Sequence, residues 1–484
     1  MLGAVALLCL LPWFGSSAAG SIDPAHFPPG LDQAEVHTLG NGLRVVLNPR
    51  HHANTTAFRI VVGVGQRHFP CGAQETPHLL EHLMFAGTSR YSEVELDARI
   101  EGLGGSWNAE THPEYTVYQL DIYSPNALEG LGVLHEILTD SVFSPETVET
   151  SRDIVHREMG GRPGALTQRL YRWGFGKTGA DRALEHLLPG SGLDCPGLET
   201  ADAITRKDLI AAYQRYYVPA NMLVIAVGPF EHEAMLAQID ATLGSMPAQP
   251  PPVPAFEEPR WPTTAARVTS RFTPLVDSEA IVEVAWRTGG RRHEDFPALV
   301  LLEDYLARAF FDELRTRRGL AYAPDAYYEV YTDFGFFSLY ADVDLDQIET
   351  TIRVVDALLE PLLSGPLPDD VVQQARVNKL LQSAQAFETN RAMANYYVRV
   401  HRAIFDHGTV PNPFAAIAEV TAEDLYRVAR RYLGPERRVI ITETPTLSYQ
   451  RALWGGFLLA LVAVALVWRS RRRRIMGNGL DDRR

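Results

Sequence analysis

The sequence predicts an α+β protein built from two homologous domains, each an antiparallel-rich sheet packed with helices. At 484 residues the chain is too long for one ordinary core, so more than one domain is expected. Hydrophobic residues make up 46% and charged residues 21%, a composition typical of folded globular proteins. The order of predicted strands and helices in the first half recurs in the second, and this repeat predicts two related domains.

The first predicted domain covers residues 30–247. It opens with a hairpin in which Asn41-Gly42 separates alternating apolar runs. The strand "TAFRIVVGVGQR" follows, then an apolar helix containing "HLLEH", a glycine-rich turn "EGLGGSWNAET" and the strand "YTVYQLDIY". Helical stretches occupy 128–160, and the apolar strand "NMLVIAVGPF" closes the domain. A proline-rich segment at 248–262 predicts a stiff linker.

The second predicted domain, residues 263–445, repeats that order. "EAIVEVAWRTGGR" corresponds to the strand before HLLEH, "ALVLLEDYLARAFFDELR" to the helix and "RRVIITETP" to the closing strand. Counting 11 residues on from Arg67 leads to His78, and the same count from Arg291 leads to Leu302. The second half therefore resembles a copy in which leucine replaces a polar cluster, and this difference indicates that the cluster has a special role.

The two ends of the chain predict a membrane-anchored protein outside the cytoplasm. Residues 1–19 carry an apolar run followed by small residues, as a signal peptide does. The uncharged run at 452–468 is long enough for a thin bilayer, and a buried helix is the alternative. The positive-inside rule assigns the arginine-rich tail at 469–484 to the cytoplasm. The combination suggests a bacterial inner-membrane protein, single-pass, with its folded part in the periplasm.

Charge and cysteine content narrow the possible functions. A formal net charge of -14 argues against nucleic acid as a partner, because phosphate-binding surfaces need clustered basic residues. Of the three cysteines, none lies in a CxxC or zinc-ribbon spacing. Cys71 and Cys195 are able to pair in an oxidising compartment, but their positions in the sequence leave that question open.

Three polar residues interrupt the apolar helix "ETPHLLEHLMF". His78 and His82 are four positions apart and lie on one face of the helix, where their imidazoles can bind one Zn²⁺. Glu81 lies beside them, near enough to act as general base on a water molecule at that metal. The alternative is a pair of core histidines with ordinary hydrogen bonds. A catalytic zinc site also requires a third protein ligand.

The segment "ETVETSRDIVHREMGG" contains a candidate for that ligand. HxxEH followed by a helix of the pattern E-R-D-V-V-x-x-E resembles the pitrilysin and insulin-degrading family of inverzincin peptidases, and most closely its processing-peptidase branch. Glu158, which is 76 residues after His82, matches the third zinc ligand of that family. Ser151 departs from the pattern, since the family has a glutamate there, and its loss is expected to weaken ligand orientation or metal affinity.

Further motifs of the same family follow in order, and the resemblance covers about residues 36–445. "IEGLGGSWNAET" resembles the segment in which Asn108 and Ala109 would hold the substrate as an added strand, through main-chain hydrogen bonds. "LRTRRGLAY" matches the family's Arg/Tyr signature. The resemblance implies that Arg315 and Tyr322 donate to substrate carbonyls or to the developing oxyanion. Without the motif, they would be interpreted as a surface arginine and a strand aromatic.

The resemblance implies a zinc-dependent endopeptidase that hydrolyses short or unfolded peptides. Family members form clamshells of four α+β domains, so this two-domain chain is expected to be half of a clamshell. A homodimer suffices, because the chain carries both the zinc ligands and the Arg/Tyr pair, and a heterodimer with a related subunit is the alternative. Two other functions stay open: a catalytically silent member acting as a membrane-anchored assembly or partner subunit, which Ser151 favours, and a metal-binding or transport accessory protein.

Overall fold

The computed structural model describes residues 30–198, 200–253, 265–271 and 276–478. The predicted signal peptide and most of the predicted linker lie outside these ranges. Within them the chain forms two related sets of strands and helices, followed by one long C-terminal helix.

The first half forms a six-stranded sheet with helices on it. Its elements, in chain order, are β1 (Glu35–Thr38), β2 (Arg44–Pro49), β3 (Thr55–Val62), α1 (Thr76–Phe85), α2 (Glu93–Gly102), β4 (Gly105–Thr111), β5 (Thr116–Tyr123), α3 (Ala127–Asp140), α4 (Pro145–Glu158), α5 (Ala165–Arg172), α6 (Gly179–Leu187), α7 (Arg206–Tyr216), β6 (Met222–Gly228) and α8 (His232–Ala241). The strand order is β1-β2-β6-β3-β5-β4, and only the β2–β6 pair is parallel.

The turn between β1 and β2 lies where the sequence predicts a hairpin. Gly42 has a φ of 89°, a conformation that glycine adopts without a steric penalty. The Asn41 side chain accepts a hydrogen bond from the Leu43 backbone N–H at 3.1 Å and closes the turn. These local preferences explain why the chain reverses at this point.

The second half forms a five-stranded sheet. Its elements are β7 (Ala266–Arg271), β8 (Val276–Asp277), β9 (Glu279–Gly289), α9 (Phe296–Phe311), β10 (Asp325–Val330), β11 (Phe334–Asp344), α10 (Ile348–Ser364), α11 (Asp369–Ala386), α12 (Asn390–Arg399), α13 (His401–His407), α14 (Pro413–Glu419), α15 (Ala422–Tyr432), β12 (Val439–Thr444), β13 (Leu447–Ser448) and α16 (Tyr449–Asn478). The strand order is β10-β11-β9-β12-β7, and β8 pairs with β13 separately.

The two sheets have the same topology. Without β1, the first sheet reads β2-β6-β3-β5-β4, which corresponds strand for strand to β7-β12-β9-β11-β10. In both sheets the opening and closing strands are parallel, as β2 with β6 and β7 with β12, and the other neighbours are antiparallel. The predicted α+β fold with an internal repeat is therefore confirmed.

The two halves cover each other's sheets. Both sheets are apolar on both faces, so each needs helices on both sides. Helix α12, from the second half, packs against β3 and β6 of the first sheet. Helix α6, from the first half, packs against β7, β9 and β12 of the second. This exchange of helices holds the two halves together. The face of the first sheet that carries α1 packs in a core formed by residues of the first half.

The C-terminal helix α16 extends away from both sheets. Its stretch Tyr449–Arg469 is, by length and composition, long and apolar enough to cross a membrane, and none of the stretch is buried. The helix starts three residues before the predicted span at 452–468 and continues to Asn478, because arginine is a good helix former.

Candidate metal centre

Helix α1 presents two histidines on one face. It begins at Thr76, with Pro77 in the first turn, where the missing N–H of proline costs no helical hydrogen bond. His78 and His82 follow one turn apart, and each side chain is 21% exposed. The opposite side of the helix joins the first core through four fully buried residues, Leu79, Leu80, Leu83 and Met84.

Three potential metal ligands meet at this face. The Nε2 atoms of His78 and His82 are 3.3 Å apart. The Oε2 atom of Glu158 lies 3.1 Å from the first and 3.3 Å from the second. Ligand atoms at about 2.0–2.1 Å from a tetrahedral zinc ion are separated by about 3.3–3.4 Å. The three donor atoms therefore fit a zinc ion with one coordination position left over.

Helix α4 brings in the carboxylate. The helix begins after Ser144, whose hydroxyl accepts a hydrogen bond from the backbone of the first turn. Val148 and Val155 are buried in the same core as α1, so the two helices pack together. Glu158 is the last residue of α4, and its side chain is 50% exposed. The exposure leaves room at the cluster for a further molecule.

A buried carboxylate that sequence reasoning missed orients one of the histidines. Glu75 Oε2 lies 2.8 Å from His78 Nδ1, and the Glu75 side chain is only 6% exposed. A carboxylate can only accept, so Nδ1–H donates and the Nε2 lone pair is free for a metal. Burial lowers the pKa of His78, but the hydrogen bond to Glu75 and nearby carboxylates outweigh it and raise the pKa. Glu75 thus supplies a carboxylate that orients a histidine, a role that Ser151, in place of the family's glutamate, cannot fill.

Glu81 points to the same region. Its Oε2 accepts a hydrogen bond of 2.5 Å from the hydroxyl of Thr111, the last residue of β4. Burial raises the pKa of Glu81, and the Thr111 hydrogen bond and the two histidines oppose the rise. A raised pKa makes the Glu81 carboxylate a stronger proton acceptor than an ordinary glutamate, which suits a general base beside a metal site. Thr111 is a second contact that the sequence motif did not reveal.

Strand β4 carries the predicted substrate-binding residues. Asn108 and Ala109 lie in its middle and pair with Gln119 and Tyr118 of β5. The strand is at the edge of the sheet, so its other side presents backbone groups with no strand partner in the described structure. Ala109 packs into the core behind α1, while Asn108 is exposed.

The predicted Arg/Tyr pair forms a local contact of its own. The Arg315 guanidinium donates to the backbone oxygen of Tyr322 and lies 4.2 Å from the centre of its ring. Tyr322 is 78% exposed. In the described residues, no hydrogen bond or ion pair joins either side chain to His78, His82 or Glu158. The structure brings His78, His82 and Glu158 together within one chain. Arg315 and Tyr322 form a separate contact with each other.

A disulfide secures the segment that leads into α1. Cys71 and Cys195 are bonded, which answers the question the sequence left open. The side chain of Gln74 donates to the Gly192 carbonyl in the same loop. Arg67 Nε donates to the Ser191 carbonyl at 2.8 Å. These contacts fix the start of α1 against a loop from far along the chain, and so fix the position of the histidines.

Two family models match the chain. The model described as insulinase, peptidase family M16, matches residues 44–172. The model described as the peptidase M16 inactive domain matches residues 203–378. An uncharacterized zinc protease of Streptomyces coelicolor is 26% identical over 84% of this chain and 88% of its own length. A probable mitochondrial-processing peptidase subunit beta of Arabidopsis thaliana is 26% identical over 83% of this chain and 76% of its own length.

Solved structures share the fold. A protease from Helicobacter pylori superposes with a TM-score of 0.73 at 21% identity, over 85% of this chain and 99% of that protein. The periplasmic protease PqqL from Escherichia coli superposes with a TM-score of 0.70 at 16% identity. That match covers 86% of this chain but only 48% of PqqL, so PqqL is about twice as long.

Proposed function

The chain belongs to peptidase family M16, and on that premise we propose that it is a zinc-dependent endopeptidase that cleaves short or unfolded peptides outside the cytoplasm. The proposal rests on one observation: the donor atoms of His78, His82 and Glu158 lie 3.1–3.3 Å apart beside the carboxylate of Glu81. Two imidazoles and a carboxylate with one open position are a ligand set of zinc peptidases.

Each residue at the cluster has a task in peptide hydrolysis. His78, His82 and Glu158 would hold the zinc ion, which would supply polarisation of a peptide carbonyl and a lowered pKa of water. Glu81 accepts the proton of the attacking water and transfers it to the leaving amine. The hydroxyl of Thr111 holds the Glu81 carboxylate in place. Glu75 keeps His78 in the tautomer that has its Nε2 lone pair available.

The edge of β4 is the proposed substrate platform. A peptide in extended conformation can add to Asn108 and Ala109 as a further strand, through backbone hydrogen bonds that read no particular side chain. A folded protein has most of its backbone groups already paired within its own helices and sheets, so little of its chain is free to add to such an edge. This requirement favours short or unfolded peptides as substrates.

The Arg/Tyr pair is proposed to act on the active site of a second subunit. Arg315 and Tyr322 contact each other and leave the tyrosine ring exposed, with no bond to the zinc cluster of their own chain in the described residues. PqqL is about twice as long, so a single PqqL chain has room for two such halves. This chain would need two copies to form the same enclosed arrangement. A homodimer would supply two such sites, and a related subunit is the alternative partner.

Mixing two inactive variants tests this arrangement. In a dimer of a Glu81→Gln chain and an Arg315→Ala chain, one of the two shared sites has Glu81 facing Arg315 intact. Activity should therefore return on mixing. Loss of one preorganised donor costs about 2.7–4 kcal/mol in the transition state, so the Arg315→Ala parent is expected to be clearly impaired. Proven mixed dimers without recovered activity would refute the shared site.

The proposed location is the periplasmic face of a bacterial inner membrane. The signal-like residues 1–19 and the exposed apolar helix α16 support it. The disulfide between Cys71 and Cys195 also supports it, because such bonds persist in oxidising compartments. A reporter enzyme that works only after export, fused after residue 484, should stay inactive. Export of that reporter would refute the proposed topology.

A catalytically silent partner subunit is the second candidate function. Ser151 favours it, since the family pattern has a glutamate at that position. The orienting carboxylate of Glu75 weakens this argument, because His78 already has an acidic partner.

The Glu81→Gln variant separates the two functions. The amide has nearly the same shape as the carboxylate but cannot take a proton, so cleavage of a mixed peptide pool should fall by about 10²- to 10⁴-fold while bound zinc is unchanged. Glu101→Gln, an exposed change on α2, is the matched control and should cleave normally. A wild-type chain that binds zinc and cleaves no peptide would favour the silent subunit.

A further inference from the structure

A second group of two imidazoles and one carboxylate lies on the first domain. It consists of Glu35, His37 and His232, whose ligand atoms all lie within 4.8 Å of one another. The Glu35 Oε2 atom is 3.7 Å from His37 Nε2 and 3.6 Å from His232 Nε2. The ligand types are the same as in the cluster on α1.

The geometry of this group resembles that of the first cluster. The ring centres of His37 and His232 are 5.1 Å apart, compared with 5.0 Å for His78 and His82. The two histidine side chains are 27% and 21% exposed, and the Glu35 side chain is 63% exposed. The exposed carboxylate therefore has the freedom to move towards both histidines, and the two rings have to approach as well to reach the separations of about 3.3–3.4 Å that zinc requires.

One atom in this group has no hydrogen bond in the described part of the chain, and the Glu35 carboxylate is 3.7 Å away from it. The Nε2 atom of His37 is buried and has no hydrogen bond within the described residues. A buried polar atom without a partner is costly, and such atoms are few in native structures. His37 lies on β1, where its backbone pairs with Val45. A bound cation would give this ring nitrogen a partner.

The group joins two elements that are otherwise weakly connected. Strand β1 has four residues and, among the described strands, pairs with β2 alone, and His232 is the first residue of α8. Strand β1 is one edge of the sheet and β4, next to α1, is the other. The two clusters therefore lie towards opposite edges of the six-stranded sheet.

We propose that Glu35, His37 and His232 form a second site for a divalent transition metal, with Zn²⁺ as its natural probe, that fastens the edge strand β1 to helix α8. Imidazole and carboxylate together suit zinc and its neighbours rather than Mg²⁺ or Ca²⁺, which prefer oxygen ligands. Glu231 and Glu233 flank His232 in the sequence and add negative charge. Because this group lies towards the opposite edge of the sheet from Glu81, the metal has a structural role and no part in peptide hydrolysis.

Zinc stoichiometry of the full-length chain, purified in detergent without a histidine tag, tests the proposal. After loading with Zn²⁺ and gel filtration, the wild type should hold two zinc ions per chain. His37→Gln and His82→Gln should each hold one, and the double variant should hold none. His51→Gln, an exposed histidine outside both groups, is the matched control and should keep two. One zinc ion in both the wild type and His37→Gln would overturn the proposal, and so would two in both.

Two further measurements keep the result clear. Glu35→Gln changes an exposed side chain and cannot disturb the core. It should lower the affinity for the second zinc ion by more than the roughly 10- to 100-fold loss expected when a residue that only supports a ligand is removed. An unchanged affinity would refute the ligand assignment. Peptide cleavage by His37→Gln should equal that of the wild type. The proposed peptidase function can therefore fail while this site stands, and the reverse also holds.

Discussion

Substitution of Glu75 should weaken zinc binding in two graded steps. Glu75 accepts the Nδ1–H of His78 at 2.8 Å in a pocket where its side chain is 6% exposed. Glu75→Gln keeps an oxygen acceptor but removes its charge, whereas Glu75→Ala leaves the buried N–H without a partner. The two changes test whether this carboxylate orients a ligand or only fills space.

The magnitudes follow from hydrogen-bond energetics. A hydrogen bond to a charged group contributes about 1.5–3 kcal/mol and a neutral one about 0.5–1.5 kcal/mol, so Glu75→Gln should cost about 1–1.5 kcal/mol. That energy corresponds to about a tenfold weaker zinc affinity. Glu75→Ala should approach about 100-fold, the upper end of the effect expected for partners of metal ligands.

Competition with a chromogenic chelator measures these affinities. A His37→Gln background leaves only the site on α1 to be titrated. Glu101→Gln removes an exposed carboxylate from the same domain and should change nothing, which controls for net charge. Equal zinc affinity in the Glu75→Ala chain and its parent would show that Glu75 does not orient His78. Glu75 would then not compensate for the serine that stands at position 151 in place of the family's glutamate.

Two further outcomes are expected. Thr111→Val removes the hydroxyl that lowers the pKa of Glu81, so the pKa rises further and the acid limb of the pH–activity profile should move to higher pH, because a carboxylate can act as a base only when ionised. Thr111→Ser should restore the profile, and an unshifted Val profile would count against Glu81 as the base. Replacing Cys71 and Cys195 by alanine opens a loop of 124 residues and should destabilise the first domain by about 4–5 kcal/mol on the chain-entropy model. Urea unfolding with an unchanged midpoint would contradict this.

The repeated order of strands was readable from the sequence, and the exchange of helices was not. Apolar runs with matching neighbours reveal that the same elements recur in the same order along both halves of the chain, and the structure shows that the two sheets also have the same strand order. The pattern of α12 shows that the helix has an apolar side, but it does not show which sheet that side covers. Helix α6 presents the same difficulty. The choice is made by tertiary packing, since both sheets offer an uncovered apolar face.

The candidate ligand set could be predicted because its signals are short-range. His78 and His82 share a helix, and Glu158 ends a helix with its own recognisable pattern. Glu75 was also within reach, since a position three residues before His78 lies on the same helical face. Thr111 could not be found this way, because it approaches Glu81 only when β4 pairs into the sheet.

The second cluster shows the limit of spacing rules most clearly. His37 and His232 are 195 positions apart, one on an edge strand and one at a helix start. Neither lies in a motif, and Glu35 is an ordinary exposed carboxylate in the sequence. Only the pairing of β1 and the position of α8 bring the three together.

Anomalous diffraction at the zinc edge tests the central claim most directly. In crystals of the zinc-loaded protein, a peak is expected at about 2.0–2.2 Å from His78 Nε2, His82 Nε2 and a carboxylate oxygen of Glu158. That result would establish the metal, its ligands and the open position beside Glu81. Ordered side chains at all three residues with no peak between them would contradict the account.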